Sequence, residues 1–148
     1  MSAAGKVFVD SNVLLYAVDF RVPEKQDHSL AWIERLWTLN SGRVSWQVLA
    51  EFYSNATRKL NVSKEEARGV VVVYGEWNPV APNAGMMERA WFWCDHAQIN
   101  FWDALILAAA EQAGCQWLLT EDFQAGRSYE GITVINPFIS SPGEFGLA

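Results

Sequence analysis

An apolar run, Val7-Phe8-Val9, stops at Asp10 and passes within one residue into the helical pattern Asn12-Val13-Leu14-Leu15. A strand that gives way at once to a helix opens a βα unit, and the rest of the chain repeats that alternation. Lys6 to Val9, Arg43 to Ser45, Cys115 to Leu119 and Ile132 to Ile135 read as strands. Helices are expected from Asn12 to Val18 and from Pro23 onward, where Leu30, Ile33, Leu36, Trp37 and Leu39 recur at helical spacing before Asn40-Ser41-Gly42. A third helix runs from Trp46 to Leu60 on a stripe of Val48, Leu49, Phe52, Tyr53 and Ala56. Strands alternating with helices imply right-handed crossovers. The expected fold is therefore α/β, a three-layer α/β/α sandwich around a central parallel sheet.

Val70 to Val73 looks like a strand, but Ser63-Lys64-Glu65-Glu66 is a capping box that feeds it, so the expectation is a helix from Lys64 to about Glu76. Pro79 to Pro82 reads as an extended connector or brief strand, and Met86 to His96 as a helix. Asn100 opens another helix, Phe101 to Ala113, closed by Gly114. Residues 1–138 form one expected domain, and residues 139–148, with Ser140-Ser141-Pro142-Gly143, a loose tail.

Hydrophobic residues make up 51% of the 148 and charged residues 19%, a balance suited to a globular chain rather than a disordered one. The longest apolar run, Ala104 to Ala110, is too short to cross a bilayer, and no signal-peptide pattern opens the chain. Cys94 and Cys115 form neither a CxxC pair nor a disulfide framework, so both are expected as reduced thiols of a cytoplasmic protein. A net charge of −6 argues against a passive nucleic-acid-coating protein, but not against an enzyme that grips phosphates through bound cations and a few arginines.

Four acids fall at related points of the alternation. Asp10 and Asp122 lie just past strand ends; Glu51 lies in the second turn of a helix that follows a strand; Asp103 lies in the first turn of the helix leading to the Asp122 strand. Each has an ordinary reading as well. Asp10 could cap a turn, Glu51 could be a solvated acid, Asp122 a turn acid, and Asn100-Phe101-Trp102-Asp103 has the spacing of a capping box. Yet strand C-termini and the starts of following helices share one sheet edge, where such folds build their sites. The helix of Asp103 runs back toward the start of its strand, so its N-terminus reaches the same edge. Carboxylates packed together repel and would partly protonate without a cation. Oxygen donors suit Mg²⁺ or Mn²⁺, whereas zinc would want His or Cys; His28 and His96 read as surface or satisfied residues. With no activated Ser, Cys or Lys in the pattern, metals are left to drive an in-line displacement at phosphorus. Glu51, Asn55 and Arg58, at i, i+4 and i+7, form a polar stripe that makes Arg58 a candidate phosphate contact.

Five segments in order resemble the PIN-domain nucleases, and most closely the VapC-type toxins of bacterial toxin–antitoxin pairs. They are Val9-Asp10-Ser11-Asn12-Val13-Leu14, Trp46-Gln47-Val48-Leu49-Ala50-Glu51-Phe52, Phe101-Trp102-Asp103 through Ala110, Leu119-Thr120-Glu121-Asp122, and Asn136-Pro137-Phe138. The resemblance spans Val7 to Phe138. It implies a Mg²⁺- or Mn²⁺-dependent endoribonuclease in which Asp10, Glu51, Asp103 and Asp122 are the metal-binding quartet. It also implies that Asn12 and Thr120 support the site by hydrogen bonding, that the chain forms homodimers, and that a cognate antitoxin covers the active-site groove.

Two rival readings stand beside this one. A haloacid-dehalogenase-like phosphatase would carry a second Asp two residues after the first, where this chain has Asn12, and would need a catalytic Lys that no clear pattern supplies. A non-catalytic PIN-like interaction module would use its aromatic surface instead. Of the 8 Trp and 8 Phe, most are expected in the core or in an oligomer contact. Trp91, Phe92 and Trp93 are consecutive on one expected helix, so at least one must point away from the core.

Overall fold

The computed structural model describes residues 5–148, so the first four residues of the expected 1–138 unit lie outside it. The sheet has five strands in the order β2-β1-β3-β5-β4: β1 Val7–Val9, β2 Gly42–Arg43, β3 Trp117–Leu119, β4 Ser128–Tyr129 and β5 Ile132–Ile135. β1 pairs in parallel with β2 and β3, and β3 with β5. Every residue of β1 is buried, which explains why it reads as an unbroken apolar run instead of an alternating one. β1 therefore stands where the chain turns first to one side and later to the other, a topological switch point of the sheet.

The sheet is not wholly parallel. β4 runs antiparallel to β5 through a two-residue turn in which Glu130 and Gly131 both take positive φ, 47° and 95°. That is the backbone a tight hairpin needs. The strand escapes a sequence reading because it is two residues long. The strand expected from Arg43 to Ser45 occupies Gly42–Arg43, and Ser45 forms instead an isolated parallel bridge with Val80 in the Pro79 to Pro82 connector.

Six helices complete the described fold: α1 Ser11–Ala17, α2 Pro23–Leu39, α3 Trp46–Lys59, α4 Lys64–Tyr74, α5 Ala84–Ala97 and α6 Phe101–Gln112. α1 packs on α2 and α3, α3 on α4, and α5 on α6. The valines of Val70 to Val73 are helical, as the cap foretells: Ser63 Oγ accepts from Glu66 N at 3.1 Å. α2 stops at Asn40, whose left-handed φ of 51° turns the chain toward β2. Gly42 follows because Trp77 packs against the backbone there; a Cβ would lie 2.5 Å from its ring. No described helix is long and apolar enough to cross a membrane.

Residues 139–148, expected as a loose tail, pack back onto the body. Trp32 Nε1 donates to Ser140 O at 2.9 Å, and a 3₁₀ turn, Pro142–Phe145, carries Phe145 against Trp32 and Trp117. Leu147 is 1% exposed, and Arg35 donates to the carbonyls of Leu147 and Ala148. A serine–proline–glycine composition signals a turn as readily as disorder, and here the turn brings apolar residues home.

Candidate functional site

β1 and β3 lie in register, Val9 beside Leu119, and Asp10 N donates to Leu119 O at 3.1 Å. The next residue of each strand therefore emerges side by side at the C-terminal edge: Asp10 and Thr120. Asp10 is the N-cap of α1, with Oδ1 accepting from Ser11 N at 2.7 Å and Oδ2 from Thr120 Oγ1 at 2.9 Å. Thr120 is 0% exposed, and its hydroxyl is the hub of the edge. Besides donating to Asp10 it accepts from Asn12 Nδ2 at 3.0 Å and from Asp122 N at 3.1 Å. Asn12 also donates to Asp122 Oδ2 at 3.2 Å and accepts from Glu121 N at 3.3 Å. One amide thus locks the β3–β4 connection onto the first turn of α1. The position that a dehalogenase-like phosphatase would fill with Asp orients a carboxylate here and is not one itself.

Glu51 reaches the edge from α3, which Ser45 caps through Val48 N at 3.2 Å. Ser11 Oγ donates to Glu51 Oε1 at 3.4 Å, and the buried Gln47 Nε2, one turn earlier, has no partner at hydrogen-bond distance. Asp103 sits in the first turn of α6. There the capping-box spacing gives a different arrangement: Asn100 Oδ1 accepts from Asp103 N at 3.0 Å, while Asn100 Nδ2 donates to Asp103 Oδ2 at 2.7 Å. The carboxylate is oriented by a side chain and caps no backbone group. Ser11 and Asn100 were not singled out as site residues by sequence reasoning, although Ser11 lies beside Asp10 in a segment that carried the resemblance and Asn100 was read as the start of the Asp103 helix.

The four acids act on one another electrically. Burial, partly offset by the hydrogen bonds of Thr120 and Ser11 and reinforced by the charges of Asp122 and Glu51, pushes Asp10 up to about 7. Burial first, and then the charges of Asp103 and Asp122, also raise Glu51. Asp103 is raised by burial and by Asp122. The groups that pull these three acids down at hydrogen-bond distance are Thr120, Ser11 and Asn100, all neutral. No lysine or arginine is among them. An oxygen-only set with uncompensated charge, buried at Asp10, half-buried at Glu51 and Asp103 and exposed at Asp122, fits a hard divalent cation. Among the described residues no three His, Cys, Asp or Glu side chains are already gathered at ligating distance, so the acids would have to draw in around an ion.

The remaining candidates fall outside the cluster. Arg58 is exposed and donates to Asn55 Oδ1 at 3.5 Å, while Asn55 donates to Glu51 O at 3.0 Å. His28 and His96 are exposed. His96 stacks on Phe92, with ring centroids 4.1 Å apart. Cys94 and Cys115 are free thiols, Cys115 buried. Of the three consecutive aromatics on α5, Trp93 is buried and Trp91 is 56% exposed.

A family model of the PIN domain matches residues 7–129. A search of curated proteins found no match. Among solved structures, a toxin–antitoxin complex from Klebsiella pneumoniae superposes with a TM-score of 0.62 at 17% identity, covering 89% of this chain and 98% of that one. VapBC2 from Rickettsia felis, bound to a DNA fragment from its promoter, gives a TM-score of 0.62 at 16% identity, covering 86% and 96%. Mycobacterium tuberculosis VapC20, a toxin that cleaves the sarcin–ricin loop, gives 0.55 at 20% identity, covering 76% and 87%. At these identities the likeness is one of fold.

Proposed function

Because the chain belongs to the PIN-domain family, we propose that it is a Mg²⁺- or Mn²⁺-dependent endoribonuclease, the toxin of a toxin–antitoxin pair acting in the cytoplasm. The observation that carries this reading is the convergence of Asp10, Glu51, Asp103 and Asp122 on one sheet edge with no protein cation pulling on the raised acids. These four would hold the metal. Bound there, a divalent ion would lower the pKa of an attacking water and offset the charge developing at phosphorus.

The protein's own part is to aim the acids. Thr120 fixes one oxygen of Asp10, Asn12 holds Asp122 against Thr120, Ser11 restrains Glu51, and Asn100 restrains Asp103. Such supporting bonds set the direction of each carboxylate, on which metal affinity depends. Arg58, one turn beyond Asn55 on the Glu51 helix, supplies a phosphate contact. A cognate antitoxin blocks the edge, and an Arg or Lys from it would satisfy the same uncompensated acids. The solved neighbours that carry antitoxins in their names support this partner.

The test is RNA hydrolysis by purified protein in Mg²⁺ or Mn²⁺, with and without EDTA. Cleavage should vanish in EDTA and in Asp10→Asn. Cleavage that survives both would remove the metal mechanism, and unchanged activity after adding the product of an adjacent small gene would remove the antitoxin.

A further inference from the structure

Beside the acidic edge, the C-terminal ends of α1 and α3 enclose a cavity of about 260 Å³ that shares Asn12 and Glu121 with the site. Its apolar lining comes from Leu15, Tyr16 and Leu60, and its rim carries Arg21 and Lys59. Asp19 and Glu121 line the same cavity, so its two cations stand among two acids.

The two cations are arranged differently, Arg21 clamped and Lys59 free. Asp19, only 7% exposed, holds Arg21 by two oxygens: Oδ1 accepts Nε at 2.9 Å and Oδ2 accepts Nη2 at 3.1 Å. Asp19 Oδ1 also accepts Arg21 N at 3.1 Å, an Asx-type turn that by itself suffices to link α1 to α2. The clamp on the guanidinium goes beyond that need. It holds an exposed arginine in one orientation, with Nη1 making no hydrogen bond among the described residues. Lys59 makes no ion pair; those of the described residues involve Arg21, Lys25 and Arg89. A fixed guanidinium and a free ammonium lining a hollow that also holds one tyrosine and two leucines match a nucleotide: phosphate on the rim, base against Tyr16.

We propose that this cavity is a nucleotide subsite flanking the cleavage position, in which Arg21 and Lys59 bind a backbone phosphate of the single strand and Tyr16, Leu15 and Leu60 receive the adjoining base. The proposal rests on the nuclease reading above. The strand then passes from the acids over Asn12 into the seam between α1 and α3. Asp19 is a positioning residue that acts through Arg21.

The experiment measures binding of a fluorescent single-stranded RNA to Asp10→Asn protein across a salt series, and repeats it with Arg21→Ala, Lys59→Ala and Lys6→Ala added. Lys6 precedes β1 at the opposite edge of the sheet and serves as the control. Each rim variant should weaken binding several-fold and flatten the plot of log affinity against log salt by about 0.7, the value for one single-strand phosphate contact. Lys6→Ala should leave the slope unchanged. An RNA with abasic positions should bind the parent more weakly than normal RNA. Equal slopes for all proteins, an equal loss with Lys6→Ala, no abasic penalty, or no RNA binding at all would overturn the subsite. Cleavage by wild-type protein is scored separately. If it fails while the rim variants still flatten the slope, the nuclease reading falls and the subsite stands.

Discussion

Asp103 holds the two readings that its sequence position left open, and the structure separates them. Asn100 caps α6 through Asp103 N, a bond that does not need the Asp103 side chain. Asp103→Ala should therefore keep its fold, losing about 1 kcal/mol or less for one exposed hydrogen bond, while RNase activity falls by orders of magnitude. Circular dichroism and cleavage rates check both halves; an unfolded variant, or a folded and fully active one, refutes the assignment. Thr120→Val is the complementary case. It keeps the shape and removes the hub hydroxyl from three partners, so stability should fall by about 1–3 kcal/mol and activity by about 10–100-fold. Asp10 gives a pH signature. Its pKa is about 7 in the folded protein against an ordinary 3.8. The folded state therefore favours the protonated form. That stability is fully present below about pH 3.8 and is lost progressively as pH rises through 7. In EDTA the Tm should drop over this window, Mg²⁺ should restore it at neutral pH, and Asp10→Asn should remove the Asp10 component. A Tm profile in EDTA identical for Asp10→Asn and wild type would contradict the burial argument.

The helices were legible where caps and periodicity agreed. Ser63 and Asn100 each accept from a backbone N–H three residues on, and α4 and α6 follow them, while α5 starts at Ala84 behind a cap at Asn83 that its expected start at Met86 missed. Capping is local chemistry, which a sequence states directly. The misread elements were those held by distant partners. β4 exists because β5 supplies its hydrogen bonds, and two residues carry too little periodicity to announce a strand. The C-terminal segment is ordered by Trp32, Arg35 and Trp117, none of them near it in sequence. Leu147→Ala should accordingly cost about 2 kcal/mol, the low end for a buried leucine, measured by urea unfolding. A cost near zero would return the segment to a tail.

Taken as a whole, the molecule keeps apolar surface that its own core does not use. Trp91 is 56% exposed on α5 and Val72 is 76% exposed on α4. Side chains of this kind are expected at an interface. The protein should run as a homodimer in light scattering at tens of micromolar, and Trp91→Arg should shift it toward monomer. A monomeric mass for the wild type removes the dimer.

By itself the sequence determined the alternation of strands and helices, the caps that start α4 and α6, and the four acids at their junctions. Each is a property of neighbours within a turn or two, where spacing and side-chain chemistry suffice. The resemblance had named Asn12 and Thr120 as supports; only the tertiary structure decided which acid each one holds and added Ser11 beside Glu51. Thr120 meets Asp10 because β1 and β3 are in register, and Ser11 meets Glu51 because α1 packs on α3. The rim of Arg21 and Lys59 is of the same kind, since its two cations come from helix ends far apart along the chain. Packing, not proximity in sequence, makes such contacts, so local spacing alone does not give the partner of each residue.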